Sequence, residues 1–194
     1  MKDPAASKTR LADSLDEGAR VRLARLLFKR TLSFLAPIAI KTGVDLSVVT
    51  ESASAAQLAL EHGFAVISEP EDVDLTGAVT AAASWAETHG FQRLCVIPAD
   101  LAAPMETDLL RLLESPADVT ICPSVDLGTN ALVVSPPLAM NFHYGPRSSV
   151  RHREAAESRG LCPVIMPLES LSFDIDTSAC LKRAVAAHPE LAVV

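Results

Sequence analysis

Two carboxylates two residues apart on an extended segment project to the same side, and Phe173-Asp174-Ile175-Asp176 has that spacing. Such a pair can share one hard divalent cation. The same residues also read as an N-cap, Asp176, ahead of a last helix, with Asp174 in solvent. A third acid, Asp100, closes the run Ile97-Pro98-Ala99, at the C-terminal end of a strand, where open α/β sheets place their ligand crevice. A strand-end aspartate together with an Asp-x-Asp in one small acidic chain looks more like a metal site than two unrelated caps. Three carboxylates on one Mg2+ would leave positions for water and substrate phosphates.

Near the N-terminus, Lys2, Lys8 and Arg10 stand in a loop ahead of a long helical segment. Their charges can hold a polyphosphate through side chains, since the glycines of a Walker A loop are absent; a solvated basic segment is the competing reading. Gly128-Thr129-Asn130 and Tyr144-Gly145-Pro146-Arg147-Ser148-Ser149 place backbone N–H groups and hydroxyls where an anion could dock. Locally they also read as a β-turn and a helix N-cap. His62, His89 and His188 precede Gly63, Gly90 and Pro189 and suit helix C-termini. His143 and His152 flank the Gly145 turn and could lie near a site; the alternative for His152 is a solvent-facing position on its helix. Cys95, Cys122, Cys162 and Cys180 lie far apart in apolar contexts, which favours buried thiols over disulfides or zinc.

The elements that must carry these residues follow from periodicity. Short runs rich in Val and Ile, at 46–49, 65–67, 94–97, 119–122, 131–134, 163–166 and 171–173, alternate with helical segments at 16–35, 53–62, 74–89, 106–114, 148–159 and 178–187. That alternation predicts an α/β fold, with several strands buried on both faces. Gly63, Gly90 and Gly160 follow helical runs directly, as C-capping residues do. The 194 residues, 49% of them hydrophobic, suit one domain spanning 1–194. The chain opens in a polar loop where such a sheet normally has a central strand, so the first strand is expected to be missing. A net charge of −7 gives no general attraction to nucleic acid or anionic membranes. With no apolar leader and no span-length apolar run, the sequence predicts a cytoplasmic protein.

Five segments in this order, Lys8-Thr9-Arg10-Leu11, Pro98-Ala99-Asp100-Leu101, Gly128-Thr129-Asn130-Ala131-Leu132, Tyr144-Gly145-x-x-Ser148 with His152 following, and Phe173-Asp174-Ile175-Asp176-Thr177, resemble the CofC/FbiD family of phospho-carboxylate guanylyltransferases in coenzyme F420 biosynthesis. The resemblance covers nearly the whole chain. It implies a Rossmann-like nucleotidyltransferase fold, of the nucleotide-diphospho-sugar transferase type, with a mixed, mostly parallel sheet flanked by helices. It also implies the reaction: GTP and a small phosphorylated acid (2-phospho-L-lactate, phosphoenolpyruvate or 3-phospho-D-glycerate) combine, with Mg2+, into a guanosine diphosphate-linked acid and pyrophosphate.

Carried over by position, Asp100, Asp174 and Asp176 match the family's metal-binding acids, and Thr129, Gly145 and Ser148 match the groups that hold the acceptor's carboxylate. Lys2, Lys8 and Arg10 fall in the nucleotide-side loop, with Lys8 also counted among the catalytic groups. The chain departs from the family at Leu75-Thr76-Gly77-Ala78, where Thr76 replaces an asparagine on the nucleotide side, and at Arg147 and Ser149, where glycine and phenylalanine are frequent. Arg147, beside the acceptor pocket, would suit a longer acid such as 3-phospho-D-glycerate; the alternative is a surface residue that points to solvent. A molybdenum-cofactor or sugar-phosphate nucleotidyltransferase, and a non-catalytic nucleotide-binding relative, are the alternative readings.

Overall fold

The computed structural model describes residues 8–70 and 73–192. They divide into two compact units, one drawn from 8–68, 99–104 and 174–192 and the other from 69–70, 73–98 and 105–173.

The first unit is built on α1 (Glu17–Thr42), β1 (Ser47–Thr50), α2 (Ala53–Glu61) and β2 (Ala65–Ser68). Asp16 caps α1 by accepting the Ala19 N–H at 2.7 Å. The helix runs seven residues past its expected end at residue 35, through Pro37, and stops at Gly43 with φ 71°. An interior proline costs about 3 kcal/mol. Burial of Ile38, 4% exposed, returns about 2 kcal/mol of that, so packing carries the helix across the breaker. β1 and β2 pair in parallel, with Val48 opposite Val66. Phe28 and Leu32 of α1, Ala55 and Ala59 of α2, and Phe64 form a core against which Val48, Val66 and Ala99 pack. Thr31 of α1 also donates its hydroxyl to the Ala99 carbonyl at 3.2 Å, which anchors the residue before Asp100. Helix α6 (Ser178–Ala187) completes this unit's regular structure.

The second unit holds α3 (Leu75–Thr88), β3 (Leu94–Val96), α4 (Glu106–Leu113), β4 (Val119–Pro123), β5 (Thr129–Val134), α5 (Ser148–Ser158) and β6 (Val164–Ile165). Its sheet has the order β3-β5-β4-β6. β5 is antiparallel to both β3 and β4, while β6 is parallel to β4. With β1–β2, two of the four pairings are parallel, an even mixture rather than a mostly parallel sheet. The reason is local: β5 leaves β4 through a short turn and can return only antiparallel. β4 and β5 are buried on both faces, as expected: on one face Val119, Ile121, Leu132 and Val134 are 0% exposed and join Val79, Ala83, Met140, Phe142 and Ala156 in one core, and on the other Thr120, Cys122 and Val133 are 0% exposed.

Two further expectations are corrected. Residues 171–173 do not form a strand; Glu169–Leu171 is a 3-10 turn. Leu168 and Leu171 are both buried, and a spacing of three sets them on one side of such a turn, closed by the Leu171 N–H donating to Leu168 O at 3.0 Å. Of the cysteines, Cys122 is buried but Cys162 is exposed and Cys95 and Cys180 are half-buried, all as free thiols. Gly63, Gly90 and Gly160 do take the left-handed capping conformation, and His62, His89 and His188 sit at the C-caps of α2, α3 and α6. No helix among the described residues is long and apolar enough to cross a membrane.

Candidate active site

In the first unit Asp100, Asp174 and Asp176 come together, each offering a carboxylate oxygen within 4.8 Å of the others. Two backbone features bring this about. Leu101 and Asp174 form an antiparallel bridge, which sets the Asp100 segment beside the Asp-x-Asp segment. Within that segment Ile175 is fully buried, so the alternation of an extended chain turns Asp174 and Asp176 together to the opposite side. The cap of α6 is Thr177, which accepts the Cys180 N–H at 3.2 Å. Asp176 is therefore not the N-cap and is available to the cluster.

Lys8 enters this cluster. Its ammonium donates to Asp100 Oδ2 at 2.5 Å, to the Ile175 carbonyl at 2.7 Å and to Asp176 Oδ1 at 3.1 Å. All three N–H groups are thus committed. Burial works against the charge, but Asp100 first and Asp176 next outweigh it, and the Lys8 pKa is raised above its ordinary value. Arg10 lies at 3.8 Å from Asp176 Oδ2 with most of its side chain in solvent. Lys2 lies outside the described residues. The donor set is all hard oxygen, and two of its three carboxylates already pair with the Lys8 ammonium; the three aspartates could hold a divalent ion of the Mg2+ kind.

The second unit carries a separate cluster of hydroxyls. Ser148 opens α5 and is 1% exposed; its hydroxyl donates to Thr129 Oγ1 at 3.1 Å. His152, one helical turn on and 0% exposed, lies with Nδ1 2.9 Å from the same Thr129 oxygen. Its Nε2 accepts the His143 N–H at 2.9 Å. Burial first, and then the charges of His143 and Arg151, lower the His152 pKa to about 4, so the ring is neutral at pH 7. Sequence reasoning placed His152 near the site or in solvent, and its burial excludes the second; the Ser148/His152 spacing of four, which puts both on one helix face, was the available signal.

The loops feeding this cluster are held in unusual conformations. Leu127 and Arg147 have φ of 66° and 54°, where side chains are disfavoured. Ser149 fixes the first of these through its N–H, at 3.1 Å, and its hydroxyl, at 2.7 Å, both donating to Leu127 O. At Gly128 a Cβ would stand 2.5 Å from Ser124 Oγ, and the Gly128 N–H donates to Asp126 at 3.2 Å, so this turn's amide holds the chain's own carboxylate. The N–H groups of Ser148 and Ser149 are likewise committed, to Gly145 O and Leu127 O. The Ser148 and Ser149 hydroxyls donate inside the cluster, so what it can present to an anion is the Thr129 hydroxyl more than helix-end amides. Gly145 has φ 109°, and a Cβ there would meet Arg151 Nη2 at 3.2 Å; that guanidinium donates to Tyr144 O at 2.8 Å. Arg147 itself is exposed and makes no side-chain cap bond. Thr76, expected on the nucleotide side, accepts the Tyr144 N–H at 3.2 Å and so braces the loop that carries Gly145.

The chain is 39% identical over 180 residues to the 3-phospho-D-glycerate guanylyltransferase of Colwellia psychrerythraea, covering 91% of this chain and 84% of that one. It is 30% identical over 170 residues to the phosphoenolpyruvate guanylyltransferase of Roseiflexus castenholzii, covering 88% and 78%. Among solved structures, a nucleotide-diphospho-sugar transferase from Desulfovibrio desulfuricans G20 matches with a TM-score of 0.74 at 17% identity, covering 100% of this chain and 86% of that one, a likeness of fold. Residues 1–188 match the family described as guanylyl transferase CofC like, and the chain belongs to that family.

Proposed function

We propose that this protein transfers the guanylyl group of GTP to a small phosphorylated carboxylic acid, releasing pyrophosphate, and that 3-phospho-D-glycerate is the acid it uses best. The observation that carries the reading is the convergence of Asp100, Asp174 and Asp176, each offering a carboxylate oxygen within 4.8 Å of the others. The choice of acid is supported by the 39% identity to a 3-phospho-D-glycerate guanylyltransferase. Within the family resemblance, the product serves coenzyme F420 assembly.

An oxygen of the acid's phosphate attacks the α-phosphorus of GTP; the bond from that phosphorus to the bridging oxygen of the β-phosphate breaks, and pyrophosphate leaves with the electron pair. The attacking oxygen is already ionised at neutral pH, so no protein nucleophile or general base is required. The obstacle is repulsion between anions, and the protein's task is positioning and charge compensation. Mg2+ on Asp100, Asp174 and Asp176 would supply neutralisation of the phosphates. Lys8 and Arg10 add cationic charge beside those acids. In the second unit, the Thr129 hydroxyl, braced by Ser148, holds the acid's carboxylate, with Gly145 shaping the loop.

The experiment is incubation of the protein with GTP, Mg2+ and each of the three acids in turn, with product identification by mass and pyrophosphate measured in parallel. A guanosine diphosphate-linked acid formed fastest from 3-phospho-D-glycerate is expected. Product from another acid in preference would overturn the choice of acid, and no product from any would overturn guanylyl transfer.

A further inference from the structure

We propose that His152 is a positioning residue that turns the Thr129 hydroxyl into an outward-facing hydrogen-bond donor for the anionic group of the phosphorylated acid; this rests on the acceptor reading above. The reasoning is an accounting of protons. An amide N–H can only donate, so Nε2 of His152, 2.9 Å from the His143 nitrogen, is an acceptor and carries no proton. The buried ring is neutral and has one proton, which is therefore on Nδ1. The 2.9 Å contact to Thr129 Oγ1 then runs from ring to hydroxyl oxygen. Ser148 donates to the same oxygen. A threonine hydroxyl has two acceptor lone pairs and one proton; with both lone pairs filled, the proton must point away from His152 and Ser148.

Those two partners are buried while Thr129 is partly exposed, so the remaining donor faces the open side. With the opposite tautomer Thr129 would donate inward and present lone pairs, which repel an anion. The ring is held in its orientation by edge-on contacts with Tyr144 at 4.9 Å and Phe142 at 6.4 Å between centroids.

Two measurements on the full chain test this. Long-range 15N–1H correlation spectra of the free protein should show His152 protonated on Nδ1; protonation on Nε2 overturns the proposal without reference to activity. The second uses a matched pair of substitutions. The amide nitrogen of His152→Asn sits where Nδ1 was and can still donate to Thr129, whereas His152→Gln keeps an acceptor for the His143 N–H and no donor at the Nδ1 position. The expected result is a KM for 3-phospho-D-glycerate raised about tenfold in His152→Gln and about threefold or less in His152→Asn, with the KM for GTP within about twofold in both. Equal losses in the two variants, or an equal rise for GTP, would mark a merely structural residue and overturn the proposal while leaving guanylyl transfer intact. Absence of product from the unsubstituted protein with every acid removes the acceptor reading, and the proposal with it.

Discussion

Acidification should destabilise this protein through His152 in a way that one substitution removes. The imidazole is 0% exposed, and its pKa is lowered from 6.5 to about 4, chiefly by burial. The unfolded chain therefore binds a proton that the folded chain refuses between these two values. The stabilisation from keeping the ring neutral is complete above about pH 6.5 and is lost progressively as pH falls to about 4. At about 1.4 kcal/mol per pKa unit the full span is about 3.5 kcal/mol, and the part lost between pH 7 and pH 5 is about 2 kcal/mol. Carboxylates also titrate in that window, so the measurement is a difference: urea unfolding of the native protein and of His152→Asn at both pH values. The native protein should lose about 2 kcal/mol more than the variant. A difference below about 0.5 kcal/mol, or a His152 resonance that titrates near 6.5, would refute the claim that burial holds this ring neutral.

Lys8→Met should leave Asp100 and Asp176 facing each other without their cation, lowering stability by about 1–2 kcal/mol, a figure reduced because both carboxylates are partly solvated. Added Mg2+ should restore the variant's melting temperature more than it raises that of the native protein, and equal responses would count against a cation site. Asp174→Asn should reduce turnover at least about a hundredfold with little change in unfolding free energy, as chemical denaturation alongside the product assay would show. Arg147→Gly relieves a φ of 54° at a position whose side chain is exposed; stability should rise by about 0.5–1 kcal/mol. Unchanged preference among the three acids in that variant would show that Arg147 does not select the substrate.

The sequence by itself determined the elements and the chemistry they carry. Each of the six expected helices forms, because caps such as Asp16 and the glycines after α2, α3 and α5 are local signals. The continuous apolar runs of β4 and β5 announced strands buried on both faces. The alternation in Asp174-Ile175-Asp176 placed two acids on one side without reference to anything distant. Where local signals misled, long-range packing had the larger energy: buried Ile38 drew α1 past Pro37, and Leu168 with Leu171 drew a turn out of an apparent strand. Only the tertiary structure could pair Leu101 with Asp174 and so carry Asp100 to the other two acids across more than 70 residues of chain. It also decided that Lys8 enters the cluster while Arg147 stays in solvent, since a side chain's direction depends on neighbours distant in sequence. The His152 proton is of the same kind: its place on the ring is fixed by one backbone N–H of His143 and one hydroxyl of Thr129, a relation that exists only once three segments have been folded together.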